Sequence, residues 1–221
     1  MKKLLVILLS VLLVCSSFAV STSAIGNRTE LMEITQQDGD YSVNANPYTS
    51  YAYSKTRAVN YALEYYNKRN SYFYDIKNAN CTNFVSQCVS YGFGSSSSTS
   101  YTNSLSYRMK NNGNYSTGWY ATQWGCSGPW ESVNAHWTYM TSTKTNAEGP
   151  RVMQINYSQL GLGDVMQLDF DNDGTYEHSV ICVQTNPLKF AQNTHDALKL
   201  FTQYSSDYGK RYYRPTSYRV Y

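Results

Sequence analysis

The chain has 221 residues, of which 42% are hydrophobic and 15% are charged, and its formal net charge is +3. This length and apolar content predict one globular domain and exclude a disordered chain, which buries too little apolar surface to offset its ordering entropy. The small net charge excludes a protein that binds nucleic acid through bulk positive charge.

The first 24 residues are typical of a secretory signal peptide, because Lys2 and Lys3 precede an apolar run over residues 4–14 and small residues follow it. The apolar run is shorter than the roughly 20 residues that a membrane span needs. Cys15 does not follow the small residue that normally precedes a lipidated cysteine. We therefore expect an exported protein, secreted or cell-wall associated, without a stable membrane anchor.

The rest of the chain divides into a short leading segment and one domain. Residues 25–50 are polar and lack periodicity, which predicts a lead-in or linker. Residues 51–221 contain the periodic segments and form the predicted domain, which we expect to be monomeric.

The predicted domain begins with two helices. The first is predicted over 55–68, with Ser54 as its N-cap, because four apolar residues lie at helical spacing: Val59, Ala62, Leu63 and Tyr66. A second helix is predicted after Asn80, its N-cap, with Gly92 at the position of a C-terminal cap. The apolar stripe of this second helix comprises Cys81, Phe84, Val85, Cys88 and Val89.

The middle and the end of the domain differ in their periodicity. A third helical segment, behind Ser127-Gly128-Pro129, has four apolar residues that we interpret as core rather than as a ligand platform: Trp130, Val133, Trp137 and Met140. Alternation over 165–170 and 178–183, around Asp171-Asn172-Asp173-Gly174, predicts an antiparallel hairpin. Further strands are predicted over 188–193 and 212–221. Helices followed by strands indicate an α+β fold.

Four cysteines remain after the signal peptide: Cys81, Cys88, Cys126 and Cys182. If Cys81 and Cys88 share a helix, they lie about 10 Å apart, beyond the roughly 7 Å limit between the Cα atoms of a bridged pair. They cannot bridge each other, and we expect Cys88 and Cys182 to be structural free thiols.

Cys81 is the candidate nucleophile, because the unpaired N–H groups and positive dipole end at a helix start favour a thiolate. His178 begins the second strand of the hairpin, a rigid position that suits a general base. Asn193, at the end of the next strand, is a candidate to orient the imidazole. Each position also has a structural interpretation, as a buried small residue, a strand edge and a turn former respectively.

The order of these segments resembles the bacterial putative amidase domain family over about residues 50–221. The run Asn80-Cys81-Thr82-Asn83-Phe84-Val85-Ser86-Gln87 carries most of the resemblance. It is accompanied by Tyr61-Ala62, Ser127-Gly128-Pro129-Trp130, Gly163-Asp164-Val165, Asp173-Gly174, His178-Ser179-Val180-Ile181 and Ala191-Gln192-Asn193-Thr194.

The resemblance implies a papain-like fold, in which the cysteine starts a helix packed on an antiparallel sheet that carries the histidine. It also implies an amidase or peptidase that uses Cys81, His178 and Asn193, with His195 as the alternative third residue. The expected mechanism is a thiolate–imidazolium ion pair that attacks an amide through a thioester, with the Cys81 N–H and a side-chain amide of Asn80 or Asn78 as oxyanion donors. The expected substrate is a peptide or amide bond, for example in peptidoglycan.

Two other interpretations of the sequence remain open. Asp169, Asp171 and Asp173 resemble the start of a calcium loop, but Val180 stands where the closing glutamate belongs, which favours a polar hairpin tip. No Cys or His cluster has the spacing of a structural zinc site, and we expect no cofactor. The alternative function is a non-catalytic cell-wall or carbohydrate-binding module, because the many tyrosines offer faces on which sugars stack.

Overall fold

The structure, a computed structural model, describes residues 49–95, 118–142 and 149–220. The predicted signal peptide and nearly all of the predicted lead-in lie outside these ranges. None of the helices in these ranges has the length and apolar content that a membrane crossing requires.

The first two helices are confirmed, with corrections at their ends and faces. Helix α1, Lys55–Tyr65, begins at Ser54, whose side chain accepts the N–H of Arg57 at 3.3 Å, and it ends three residues before the predicted limit. Leu63 is 44% exposed, so the predicted stripe was wrong at that position; Ala58 and Tyr61 are buried on the core side instead.

Helix α2, Cys81–Gly92, is buried on almost every side. Gly92 is its last residue and not its cap. A Cβ at Gly92 would collide with the Tyr53 ring, which explains the glycine. The left-handed position, φ +103°, belongs to Gly94.

The aromatic segment forms two helices rather than one. Helix α3, Gly128–Glu131, and helix α4, Val133–Thr141, are separated by Ser132, which is extended and whose side chain accepts the N–H of Ala135. Trp130 is fully buried, as the core interpretation predicted.

Nine strands are described, and all their pairings are antiparallel. Seven form one sheet in the order β1-β9-β5-β6-β7-β8, with β4 also paired to β9: β1 Thr49–Ala52, β4 Gly149–Ile155, β5 Val165–Asp169, β6 His178–Thr185, β7 Leu188–Gln192, β8 Ala197–Leu200 and β9 Gly209–Val220. The short strands β2, Ala121–Thr122, and β3, Gly125–Cys126, form a separate hairpin. The predicted hairpin is β5–β6, and the α+β class is confirmed.

The two faces of the large sheet pack on different cores. One face packs against α1, α2 and the aromatic residues of α3 and α4. The other carries a smaller apolar cluster that includes Met166, Val180 and Phe190. Because both faces of its central strands are covered, β5 is buried along its whole length.

The described strands also include segments that the sequence pattern did not predict. Thr49 and Ser50, assigned above to the lead-in, begin β1, and β4 and β8 were not predicted. The four described cysteines are free thiols, in agreement with the helical separation of Cys81 and Cys88.

Candidate active site

A cavity of about 570 Å³ opens at one end of the large sheet. Cys81 reaches it from the first turn of α2, and His178 reaches it from the first residue of β6. Both side chains are nearly enclosed, with 6% of Cys81 and 7% of His178 exposed. The fold therefore brings the two residues of the predicted nucleophile–base pair to one cavity.

The Cys81 sulfur lies against the backbone that carries His178. Its Sγ is 3.9 Å from the carbonyl oxygen of Glu177 and 3.8 Å from the Thr82 hydroxyl. The backbone N–H of Ser179 also acts on the sulfur. Because Glu177 and Ser179 flank His178, the sulfur of the candidate nucleophile lies beside the peptide groups on either side of the candidate base.

Burial determines the charge of the thiol. The pKa of Cys81 is raised, because burial destabilises a thiolate. Hydrogen bonds from the N–H groups of Ser179, Thr82 and Cys81 itself lower the pKa, but by less than burial raises it. Burial therefore opposes the thiolate that the helix start favours.

His178 is shifted in the opposite direction. Burial lowers its pKa to about 4; a hydrogen bond with the Gln192 side chain opposes this shift, and the nearby charges of His195 and Lys199 add to it. The ring stacks on Phe170 at 6.0 Å between centroids. Burial therefore favours a thiol and a neutral imidazole in the free protein, and the expected ion pair stays a prediction.

Asn193 lies close to the site but faces away from His178. Its Nδ2 donates to the carbonyl oxygens of Tyr65 and Tyr66, both at 3.1 Å, and its Oδ1 accepts from Asn80 Nδ2 at 2.5 Å. The described contacts therefore give Asn193 the role of joining the end of α1 to the start of α2. The alternative third residue, His195, is exposed at the rim of the cavity.

Gln192 is the residue that sequence reasoning missed. Since Ile181 pairs with Ala191, strand alternation puts His178 and Gln192 on one face of the sheet and Asn193 on the other. Gln192 Oε1 also accepts from the Tyr204 hydroxyl at 3.1 Å, which holds the amide in place. The alternation of β7 was the signal that could have identified it.

The polar residues of the Asn80–Gln87 run form a buried network beneath the nucleophile. Asn80 Oδ1 accepts from Asn83 Nδ2 at 2.7 Å, and Asn83 Oδ1 accepts from Trp130 Nε1 at 2.7 Å and Gln87 Nε2 at 3.0 Å. Gln87 Oε1 in turn accepts from Tyr61 at 2.7 Å. These bonds fix the start of α2, and with it the position of Cys81.

The three expected oxyanion donors differ in whether they are available to a substrate. The N–H of Cys81 lies at the helix start beside the sulfur. The Asn80 amide is 2% exposed and is used by Asn193, so it cannot serve a substrate. Asn78 is exposed and lines the cavity, and it remains the side-chain candidate.

The acidic hairpin tip has a structural role. Four carboxylates, those of Asp169, Asp171, Asp173 and Glu177, lie within 4.8 Å of one another. Asp169 accepts the N–H groups of Asp173 and Gly174, and Glu177 accepts that of Phe170 at 2.8 Å. These bonds are those of a polar turn, and calcium binding there stays an untested alternative.

Comparison with known proteins places the chain in a family. The model of the Putative amidase domain matches residues 52–219. The uncharacterized protein YhbB of Bacillus subtilis (strain 168) is 30% identical over 159 residues, which cover 70% of this chain. The matched region is 46% of the length of that relative. No solved structure matches the chain. The chain belongs to the Putative amidase domain family.

Proposed function

We propose that this protein is an exported, cysteine-dependent amidase or peptidase with a papain-like arrangement of its site. The observation that carries the proposal is that Cys81 and His178 line the same cavity. The sulfur also lies against the peptide groups that flank the histidine. Family membership supports amide bonds as the class of substrate.

The proposed reaction starts from the neutral pair. His178 takes the proton of the Cys81 thiol as the sulfur attacks the amide carbonyl, and the Cys81 N–H donates to the developing oxyanion. When the C–N bond breaks, the imidazolium of His178 gives its proton to the leaving amine and an acyl thioester remains. Water then attacks the thioester, His178 takes its proton, and the acid is released with the thiol restored.

Gln192 serves as the positioning residue for His178 in this scheme. Its side chain hydrogen-bonds the imidazole, and Tyr204 hydrogen-bonds Gln192. A hydrogen bond that fixes the ring selects which nitrogen carries the proton.

The test measures amine release from a mixture of short peptides and from purified peptidoglycan. We expect Cys81→Ala to abolish release. Cys88→Ala, a control in the same helix with its thiol buried in the core, should retain it. Equal activity in the two variants would contradict the proposal.

A second candidate function rests on three exposed aromatic residues. Trp124, 81% exposed, lies at the tip of the β2–β3 hairpin, and Tyr72 and Tyr74 are exposed beside it, since the N–H of Tyr74 bonds the carbonyl of Thr122 at 2.8 Å. A non-catalytic cell-wall or carbohydrate-binding module would use such faces. It predicts wall binding that is unchanged by Cys81→Ala, without release of amines.

A further inference from the structure

The side of the cavity next to His178 is positively charged. His195 and Lys199 both line the cavity, and both act electrostatically on the imidazole. Lys199 lies on β8 opposite Phe190, so strand alternation places it on the face of the sheet that carries His178 and Gln192. The candidate base thus has an ammonium and a second imidazole as neighbours.

Neither the Lys199 ammonium nor the His195 ring forms an ion pair with an acid in the described ranges. Asp196, between them in sequence, is turned to Arg69, with which it forms an ion pair at 3.0 Å. Lys199 has no ion pair within the described part of the chain, and its ammonium lies 5.4 Å from the centre of the Tyr204 ring.

Acids also line the cavity, but on other elements. Glu131 on α3 accepts the Cys126 thiol at 3.0 Å, and Glu177 in the loop before β6 accepts the N–H of Phe170. The negative charges of the cavity thus lie on α3 and in the loop before β6, whereas the positive charge of Lys199 lies on β8.

That turn also has an unsatisfied polar group. Thr194 lines the cavity with φ at +115°, a conformation that a β-branched residue rarely adopts. Its hydroxyl oxygen is buried and has no hydrogen-bond partner among the described residues. Strained backbone and unpaired buried groups of this kind concentrate where ligands bind.

The chemistry of the proposed reaction assigns this region to one part of the substrate. His178 must deliver a proton to the leaving nitrogen, so the amine product lies at His178. The rest of the leaving group then extends toward β8 and the turn that precedes it.

We infer that the leaving amine carries a carboxylate, as a released amino acid or a C-terminal peptide does, and that Lys199 and His195 form the subsite that binds it. This inference rests on the proposed function and specifies its substrate class. The anion pairs with the Lys199 ammonium, and the His195 ring and the Thr194 hydroxyl are further hydrogen-bond donors beside it.

The subsite can be tested without any substrate. Iodoacetate and iodoacetamide alkylate the same thiol and differ in that only iodoacetate brings a negative charge. The ratio of their rates at Cys81, located by mass spectrometry, therefore reports the local potential. We expect Lys199→Gln to lower the iodoacetate-to-iodoacetamide ratio about threefold, because one positive charge is lost from the wall of the cavity. Lys199→Arg should keep the ratio of the natural chain.

The matched control is Lys189→Gln. Lys189 pairs with Leu200, so it lies on the opposite face of the same edge of the sheet, and the substitution removes the same charge. Its ratio should equal that of the natural chain. A ratio that is unchanged in Lys199→Gln, or lowered equally in Lys189→Gln, would overturn the subsite.

A second measurement separates this inference from the proposed function. Peptides that end in a free carboxylate are compared with the same peptides ending in a carboxamide, each cleaved to release its last residue. We expect faster cleavage of the carboxylate form, with the preference reduced in Lys199→Gln. Equal cleavage of both forms would overturn the subsite while the amidase proposal stands. If neither form is cleaved, the alkylation ratio still decides whether the subsite exists.

Discussion

At the scale of single residues, solvent exclusion sets the protonation of the two reacting groups. Cys81 sits where a helix start would lower the pKa of a thiol, yet burial outweighs the N–H groups and raises it. His178 is shifted down, and no carboxylate is among the groups that act on it. In the proposed reaction, the proton therefore passes from Cys81 to His178 during the attack instead of before it.

This protonation state predicts a pH dependence. The alkylation rate of Cys81 by iodoacetamide should stay low through neutral pH and rise only above the usual range of thiols, because the thiolate is scarce below its raised pKa. Hydrolysis should persist to about pH 5 and fall as the pH approaches the His178 pKa of about 4, where the base takes its proton from solution.

The two profiles together distinguish the neutral pair from an ion pair. An alkylation rate that is already at its plateau between pH 5 and 7 would show a resting thiolate and would contradict this account. Measuring Cys126 in the same digest gives an internal reference, because burial and Glu131 also raise the pKa of that thiol.

At the scale of elements, the amide network explains why the signature run has its polar residues. Asn80, Asn83 and Gln87 lie at helical spacing, and their side chains bond one another or Trp130 and Tyr61 in the core. They position the helix start that carries the nucleophile, and none of them contacts the sulfur in the described bonds.

Removal of one member should therefore destabilise the protein. Asn83→Ala removes the acceptor of Trp130 Nε1 and Gln87 Nε2 and the donor to Asn80 Oδ1 and the carbonyl of Tyr74, and we expect the free energy of unfolding to fall by about 3 kcal/mol. Urea unfolding measures the change. Asn60→Ala, at an exposed position of α1, is the control and should change stability by less than about 0.5 kcal/mol. Equal stability of the two variants would mean that the network contributes little.

The elements also show how far the sequence could lead. Periodicity identified α1, α2, the β5–β6 hairpin, β7 and β9, because each has a regular apolar pattern. It did not find β4 and β8. β4 has two exposed residues in succession, Met153 and Gln154, and all four residues of β8 are half-buried, so neither strand alternates clearly.

Only part of the candidate site could be predicted, because the rest depends on how the strands pair. Cys81 and His178 were identified from their positions on elements; the structure places both at one cavity, and their roles stay predictions. The orientation of Asn193 depends on the pairing of β6 with β7, and the identity of the charged neighbours depends on β8, which was not predicted. Register is a tertiary property that a single sequence specifies weakly.

At the scale of the whole molecule, an ion pair with a buried carboxylate joins two neighbouring strands that are distant in the sequence. Asp164, fully buried at the start of β5, accepts two bonds from Arg214 of β9, at 2.9 and 2.6 Å, and a third from the N–H of Gly161. The neighbouring Gly163, at φ +77°, accepts the Tyr53 hydroxyl at 2.9 Å. The Gly-Asp element of the sequence is therefore a structural corner.

Breaking this pair should lower the free energy of unfolding much more than removing an ordinary surface charge. We expect Arg214→Met to lower the free energy of unfolding by about 3 kcal/mol, because it strands a carboxylate in the interior. Arg219→Met, on the same strand and with the same loss of charge, is the comparison and should have a small effect. Thermal and urea unfolding of both variants measure the difference, and similar losses in the two would argue against a special role for the pair.

The central claim is that Cys81 is a nucleophile served by His178, and acyl transfer from 4-nitrophenyl acetate tests it most directly. The acyl group is located by mass spectrometry after acid quenching, together with the rate of nitrophenolate release. We predict an acetyl group on Cys81 that is retained in Cys88→Ala, absent in Cys81→Ala, and formed about 100-fold or more slowly in His178→Ala. Acetylation at another cysteine, or an unchanged rate in His178→Ala, would contradict the account.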